Sequence, residues 1–212
     1  MSNQGTVAIN ESEKELRMKR IGQSIKTFFL AAGTAALVTA APLGVYGAEK
    51  GPGAAMKPAV NGVSIYVSKK DSTLTLSQYG RVIGKWSAKL GRESATGDKK
   101  QQGDEITPSG KFYVCTKNDK SQYYLALGLS YPGIEDAQRG LEDGLITQEQ
   151  YQAIVDANEA GVQPPWDTAL GGAIEIHGEQ GGETAGCIAM TNEVMDVLWE
   201  YCNVGVPVTI GP

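Results

Sequence analysis

Residues 174–190 read IEIHGEQGGETAGCIAM. The first four alternate apolar and polar, as a half-buried strand does. A glycine-rich loop follows and ends at Cys187. The stretch holds the only histidine of the chain, His177, and one of its three cysteines. Spacing alone leaves three readings open. The two residues are a nucleophile and its base, or part of a metal site, or a buried cysteine and a surface histidine joined by a turn.

The first reading has a physical basis. A thiol with an ordinary pKa is mostly protonated at neutral pH and attacks poorly. An adjacent imidazole or a helix N-terminus favours the thiolate. Cys187 precedes a predicted helix, and His177 ends a predicted strand ten residues earlier. Gly181, Gly182 and Gly186 let the loop fold back. The backbone N–H groups of Gly186 and Cys187 are then candidate oxyanion donors. The metal reading is poorly supplied with ligands: one histidine, and no CxxC or HExxH spacing. No metal and no cofactor is expected. A papain-like arrangement is disfavoured, because there the cysteine precedes the histidine.

Composition narrows the class. The chain has 212 residues, 41% of them apolar, which suggests one domain plus extra segments. A net charge of −5 gives no footprint for nucleic acid. Three cysteines do not make a disulfide scaffold. Cys115 and Cys202 read as core residues, although an oxidising compartment also permits a bond between them.

Outward from the motif, strands dominate. VSIYVS alternates Val63, Ile65 and Val67 against polar neighbours. TLTLSQYGRVIGKWSAKLG reads as two strands joined at Tyr79-Gly80, and GKFYVCT as another, so the first half is expected to be a β-meander. A loop rich in Gly, Asp and Lys runs from Gly91 to Gly103. Between Ile134 and Gly161 the apolar spacing turns helical, with two short helices split near Asp143-Gly144. Thr147 and Gln150 fit a capping box. The acidic residues there read as a solvated face, and Pro164-Pro165 closes the insertion. After the motif, Val194, Met195, Leu198, Trp199 and Cys202 share one helical face, with Thr191 or Asn192 as cap. VGVPVTI is the last strand.

The N-terminus reads as a targeting segment. Lys19, Arg20 and Lys26 precede an apolar run from Phe28 to Ala41, and Val45-Tyr46-Gly47-Ala48 offers small residues for cleavage. A cleaved signal peptide is expected, with an uncleaved anchor as the other reading and Met18 as a second candidate start. The expected organisation is residues 1–48 as extension and signal peptide, 49–60 as linker and 61–212 as catalytic domain. The mature protein is expected outside the cytoplasm, in the periplasm or cell envelope.

Four stretches, in order, resemble the L,D-transpeptidase catalytic domain, the YkuD domain of bacterial cell-wall enzymes. They are VSIYVSKKDSTLTLSQYGRVIGKWSAKLG, ITPSGKFYV, IEIHG and TAGCIAMTN. Together they span about Gly62 to Ile210. The insertion SYPGIEDAQRGLEDGLITQEQYQAI resembles the YafK-like branch. The resemblance implies a mostly β domain, a sandwich or meander, with a helical insertion and one helix after the nucleophile. It implies Cys187 as thioester-forming nucleophile and His177 as its base, oriented by the carbonyl of Gly178. Thr184, Ala185 and Asn192 match substrate-side positions of the signature. Two departures stand out: Ala185 replaces a frequent histidine, and Ala189 a frequent arginine.

The implied substrate is the peptidoglycan stem peptide, attacked after the L-centre of diaminopimelate. A second stem's amine gives a cross-link, and a lipoprotein lysine gives anchoring. Water gives a carboxypeptidase, or an amidase that releases a wall-attached lipoprotein, the role associated with the YafK-like branch. A carbapenem is the implied covalent inhibitor. A wall-binding module without catalysis is the alternative of another class.

Overall fold

A computed structural model describes residues 60–179 and 181–212. The expected signal peptide lies outside the described residues, as does the linker apart from Val60. Among the described residues no helix is long and apolar enough to cross a membrane.

Eight strands form one curled sheet. They are β1 (Val63–Ser68), β2 (Thr73–Gln78), β3 (Arg81–Ser87), β4 (Gly110–Ser121), β5 (Tyr124–Leu129), β6 (Glu175–His177), β7 (Ile188–Ala189) and β8 (Pro207–Gly211). Their order is β3-β2-β1-β8-β4-β5-β6-β7. The first three do form the expected meander, turning at Tyr79-Gly80, where both residues have positive φ. The rest of the first half does not extend it. β4 skips β3 and pairs with β8 and β5. β8 in turn runs parallel to β1, so the C-terminus is threaded through the middle of the sheet. Just beyond β3, Lys89 bridges Ala189 and Gly91 bridges Thr184, which curls the two edges toward each other. Pairing both edges limits exposed strand backbone.

Alternation decides which face is core. Val63, Ile65, Val67, Leu74, Leu76, Leu127, Leu129, Ile176 and Ile188 all enter one buried cluster. Helix α3 (Asn192–Tyr201) packs Met195 and Leu198 into it, with Cys202 just beyond its end. Thr191 caps α3 by accepting the N–H of Val194. The residues of alternate parity on β5, β6 and β7 therefore face the other way, and they build the site.

The insertion is a second, smaller packing unit. Helices α1 (Ile134–Glu142) and α2 (Gln148–Ala160) enclose Ala137, Ile146, Ile154 and Leu170. The Thr147–Gln150 capping box is present, and α2 ends on Gly161. One expectation fails here. Asp136 is buried, not solvated: it accepts from the Gly133 N–H at 3.0 Å and from Arg139 at 2.8 Å. A buried carboxylate needs such partners. Arg139 also reaches the carbonyl of Lys99 at 2.9 Å, tying the insertion to the Gly91–Gly103 loop.

Cys115, Cys187 and Cys202 are all free thiols. The permitted Cys115–Cys202 disulfide is absent; both are buried, as core residues are.

Candidate active site

The pairing registers fix the layout of the outer face. β6 runs antiparallel to β5, with Ala126 opposite His177 and Gly128 opposite Glu175. β6 runs parallel to β7, with His177 beside Ala189. Directly paired residues project from the same side of a sheet. One row of that face is thus Lys89, Ala189, His177 and Ala126. One step back along β6 lies the next row, with Glu175 and Gly128 at its centre and Thr116 beyond. Cys187 immediately precedes β7 and falls at the Glu175 end of that row, diagonal to His177. The fold thus brings the two motif residues to one face.

Among the described residues no carboxylate orients His177. Its Nδ1 lies 2.7 Å from the carbonyl oxygen of Gly178. A carbonyl only accepts, so Nδ1 carries the proton and Nε2 is left with its lone pair. Tyr123 stacks on the imidazole at 4.6 Å between ring centroids. The ring is buried, which with the stacking limits its rotation.

Cys187 is half-buried, and burial pushes its thiol up to about 11. The backbone N–H of Glu175 works the other way, the charge of Glu175 reinforces the rise, and Lys99 lowers it. Burial therefore favours the neutral thiol. The helix-dipole expectation also needs correcting. Strand β7 stands between Cys187 and α3, and the α3 cap is Thr191. A helix dipole acts within its first turn.

The loop before the thiol is braced from below. Thr184 Oγ1 donates to the carbonyl of Cys187 at 2.7 Å and accepts the N–H of Gly186 at 3.1 Å. Gly186 has φ 133°, and a Cβ there would stand 3.1 Å from the Ile106 carbonyl. Only glycine suits that backbone. Of the two candidate oxyanion donors, Gly186 is already engaged by Thr184; among the described residues no acceptor takes the N–H of Cys187. Thr107, from the ITPSG stretch, is fully buried and accepts the N–H of Gly91, whose segment bridges to Thr184.

Asn192 does not cap α3. Its side chain accepts the N–H of Glu179 and donates to the Glu179 carboxylate, both at 2.9 Å, so it pins the loop after His177. Ala185 is exposed beside the thiol loop. Lys89 is exposed opposite Ala189 and puts a cation on the site face.

Sequence reasoning missed Glu175, Tyr123 and Trp166. The alternation in IEIH already places Glu175 on the His177 face. Nothing local marks Tyr123 or Trp166, which arrive from the β4–β5 turn and from the insertion.

The family model for the L,D-transpeptidase catalytic domain, YkuD, matches residues 62–210. No curated protein matches the chain. Among solved structures, the helical cell shape determining protein Pgp2 (K307A mutant) from Campylobacter jejuni is 22% identical with a TM-score of 0.49, over 71% of this chain and 47% of that one. Bd1075 of Bdellovibrio bacteriovorus is 20% identical with a TM-score of 0.46, over 71% and 48%. The L,D-transpeptidase LdtMt1, solved in complex with imipenem, is 15% identical with a TM-score of 0.42, over 71% and 59%. This chain spans roughly half the length of the chains it resembles.

Proposed function

Since the chain belongs to the L,D-transpeptidase catalytic domain family, we propose that it is an exported, cysteine-dependent peptidoglycan enzyme acting on the stem peptide after the L-centre of diaminopimelate. The observation that carries this reading is the Nδ1 contact of His177 with Gly178, on a ring sharing a sheet face with Cys187.

The geometry then orders the chemistry. A thiol held neutral by burial must lose its proton as it attacks. Nε2 of His177, the free nitrogen, takes it. The sulfur bonds to the carbonyl carbon, and negative charge moves to the carbonyl oxygen. The N–H of Cys187 is the available donor for that oxyanion, and the N–H of Gly186 joins it when released by Thr184. The C–N bond breaks, and the imidazolium returns its proton to the departing amine. A thioester remains on Cys187. An incoming amine resolves it to a cross-link; water resolves it to a shortened stem.

We favour amine transfer as the first reading, with water-resolved release, including release of a wall-attached lipoprotein as in the YafK-like branch, as the second. The helical insertion supports a role in that choice. Its return segment carries Trp166 onto Gly128, on the site face. A carbapenem fits as covalent inhibitor, since its strained carbonyl offers the same thioester chemistry. The periplasm or cell envelope is the proposed location.

Digestion of purified sacculi by wild type and Cys187→Ser, with products read by mass, tests this. New dimers identify a transpeptidase. Shortened stems identify a carboxypeptidase, and released protein an amidase. Intact sacculi bound equally by both proteins would instead identify a wall-binding module.

A further inference from the structure

Among the described residues the Glu175 carboxylate has no hydrogen-bond or ion-pair partner. Yet the residue is half-buried, and burial pushes its carboxyl up, opposed by the attraction of His177. Leaving a partly desolvated carboxylate unpaired costs stability. It does not help the nucleophile either, because its charge raises the Cys187 thiol.

A second unpaired group lies against the same row. The indole N–H of Trp166 is buried with no hydrogen-bond partner among the described residues. The far edge of that indole, Cη2, would stand 2.8 Å from a Cβ at Gly128, the residue directly opposite Glu175. Its near end packs on Gly172, where a Cβ would meet the Trp166 Cα and Cβ at 2.4 Å. The indole therefore lies along the β5 side of Glu175, while Cys187 flanks the other side. Two glycines leave the room that the ring fills.

We infer that Glu175 and Trp166 form an ammonium-binding subsite beside the nucleophile, which takes a free primary amine of the stem peptide. A carboxylate supplies the counter-charge and an aromatic face adds cation–π attraction. The indole N–H then serves the carboxylate or carbonyl next to that amine. The assignment rests on the stem-peptide reading above. The amine has two sources: the donor's own diaminopimelate side chain, or the acceptor strand. The subsite selects for a free amine in either case.

The test separates these sources and separates the subsite from the function. A stem tetrapeptide with a free side-chain amine, and its N-acetyl form, are titrated into Cys187→Ala by calorimetry. The same titrations follow in Cys187→Ala with Glu175→Gln. If the donor amine is held, the free form binds at least about tenfold more tightly than the acetylated one, as charge-assisted hydrogen bonds allow. With Gln the preference drops below threefold. If the acceptor amine is held, donor binding is unchanged, and the ratio of aminolysis to hydrolysis of the acyl-enzyme falls about tenfold in Glu175→Gln alone. In both cases thermal stability of Glu175→Gln is maintained or rises, since among the described residues no hydrogen bond or ion pair of its carboxylate is lost. A preference for the free amine that survives Glu175→Gln with an unchanged aminolysis ratio overturns the subsite. So does an equal loss of turnover for free and acetylated peptides, which marks a residue acting only through His177. Wild type that neither binds nor turns over either peptide overturns the function, and the subsite with it.

Discussion

The imidazole of His177 takes its orientation from the carbonyl of the next residue, Gly178, at 2.7 Å. Among the described residues no side-chain acceptor stands behind it, and the stacked Tyr123 limits rotation of the ring. The proton stays on Nδ1, and Nε2 is the proposed base.

His177→Gln therefore removes base and acid together while keeping a polar side chain. A fall in kcat of about 10²–10⁴-fold is expected, the usual worth of general acid–base catalysis. KM should move far less. Steady-state kinetics on a stem tetrapeptide decide this; retention of a tenth of the wild-type kcat would show that another group takes the proton.

The thiol has its own signature. Burial pushes Cys187 up to about 11, above the roughly 8.5 of a free cysteine. Because the pKa is raised, the neutral form persists through the physiological range. The rate of alkylation by iodoacetamide should keep climbing with pH beyond 9. A plateau reached near pH 7 would mean that a thiolate–imidazolium pair already exists in the resting enzyme.

Thr184 is expected to act on the loop rather than the substrate. Thr184→Ala frees the Gly186 N–H and drops the hydrogen bond to the Cys187 carbonyl. Each such bond is worth about 1 kcal/mol net. The melting temperature should fall by a few degrees, with Thr184→Ser restoring it. Failure of serine to rescue would point to packing of the methyl group instead.

Acid should loosen the loop beneath the site. Burial pushes the Asp104 carboxyl up, but the Lys99 ammonium at 2.7 Å and the N–H groups of Gln101, Lys100 and Ile106 outweigh it and hold it below the usual range. A depressed carboxyl stabilises the fold above its unfolded pKa and loses that contribution as pH falls through its folded one. Thermal melts should show this loss below about pH 4. Asp104→Asn should melt lower at pH 7 and lack that acid step; an unchanged pH profile in the variant would assign the step to another group.

Much of this was legible in local sequence. Alternation in VSIYVS and TLTLSQ marks real strands, and Thr147 and Gln150 do cap a helix. The IEIH alternation places His177 correctly, and the contact with Gly178 follows the family resemblance. What local sequence does not encode is pairing between distant segments. GKFYVCT reads as a fourth meander strand, but β8 intervenes, because parallel pairing with β1 is decided by burial of Val208 and Ile210 in the common core. Asp136 reads as solvent-facing because its partner, Arg139, is itself anchored on a loop far upstream. Trp166 reads as the end of an insertion, and only the gap at Gly128 shows where its ring belongs.

Cys187, alone of the three thiols, is the proposed nucleophile. Intact-protein mass after brief exposure to a carbapenem tests it most directly. Wild type should gain the mass of one inhibitor, mapped to Cys187, and Cys187→Ala should gain none, because Cys115 and Cys202 are buried. An adduct that persists in Cys187→Ala, or that maps to another residue of the wild type, places the nucleophile elsewhere.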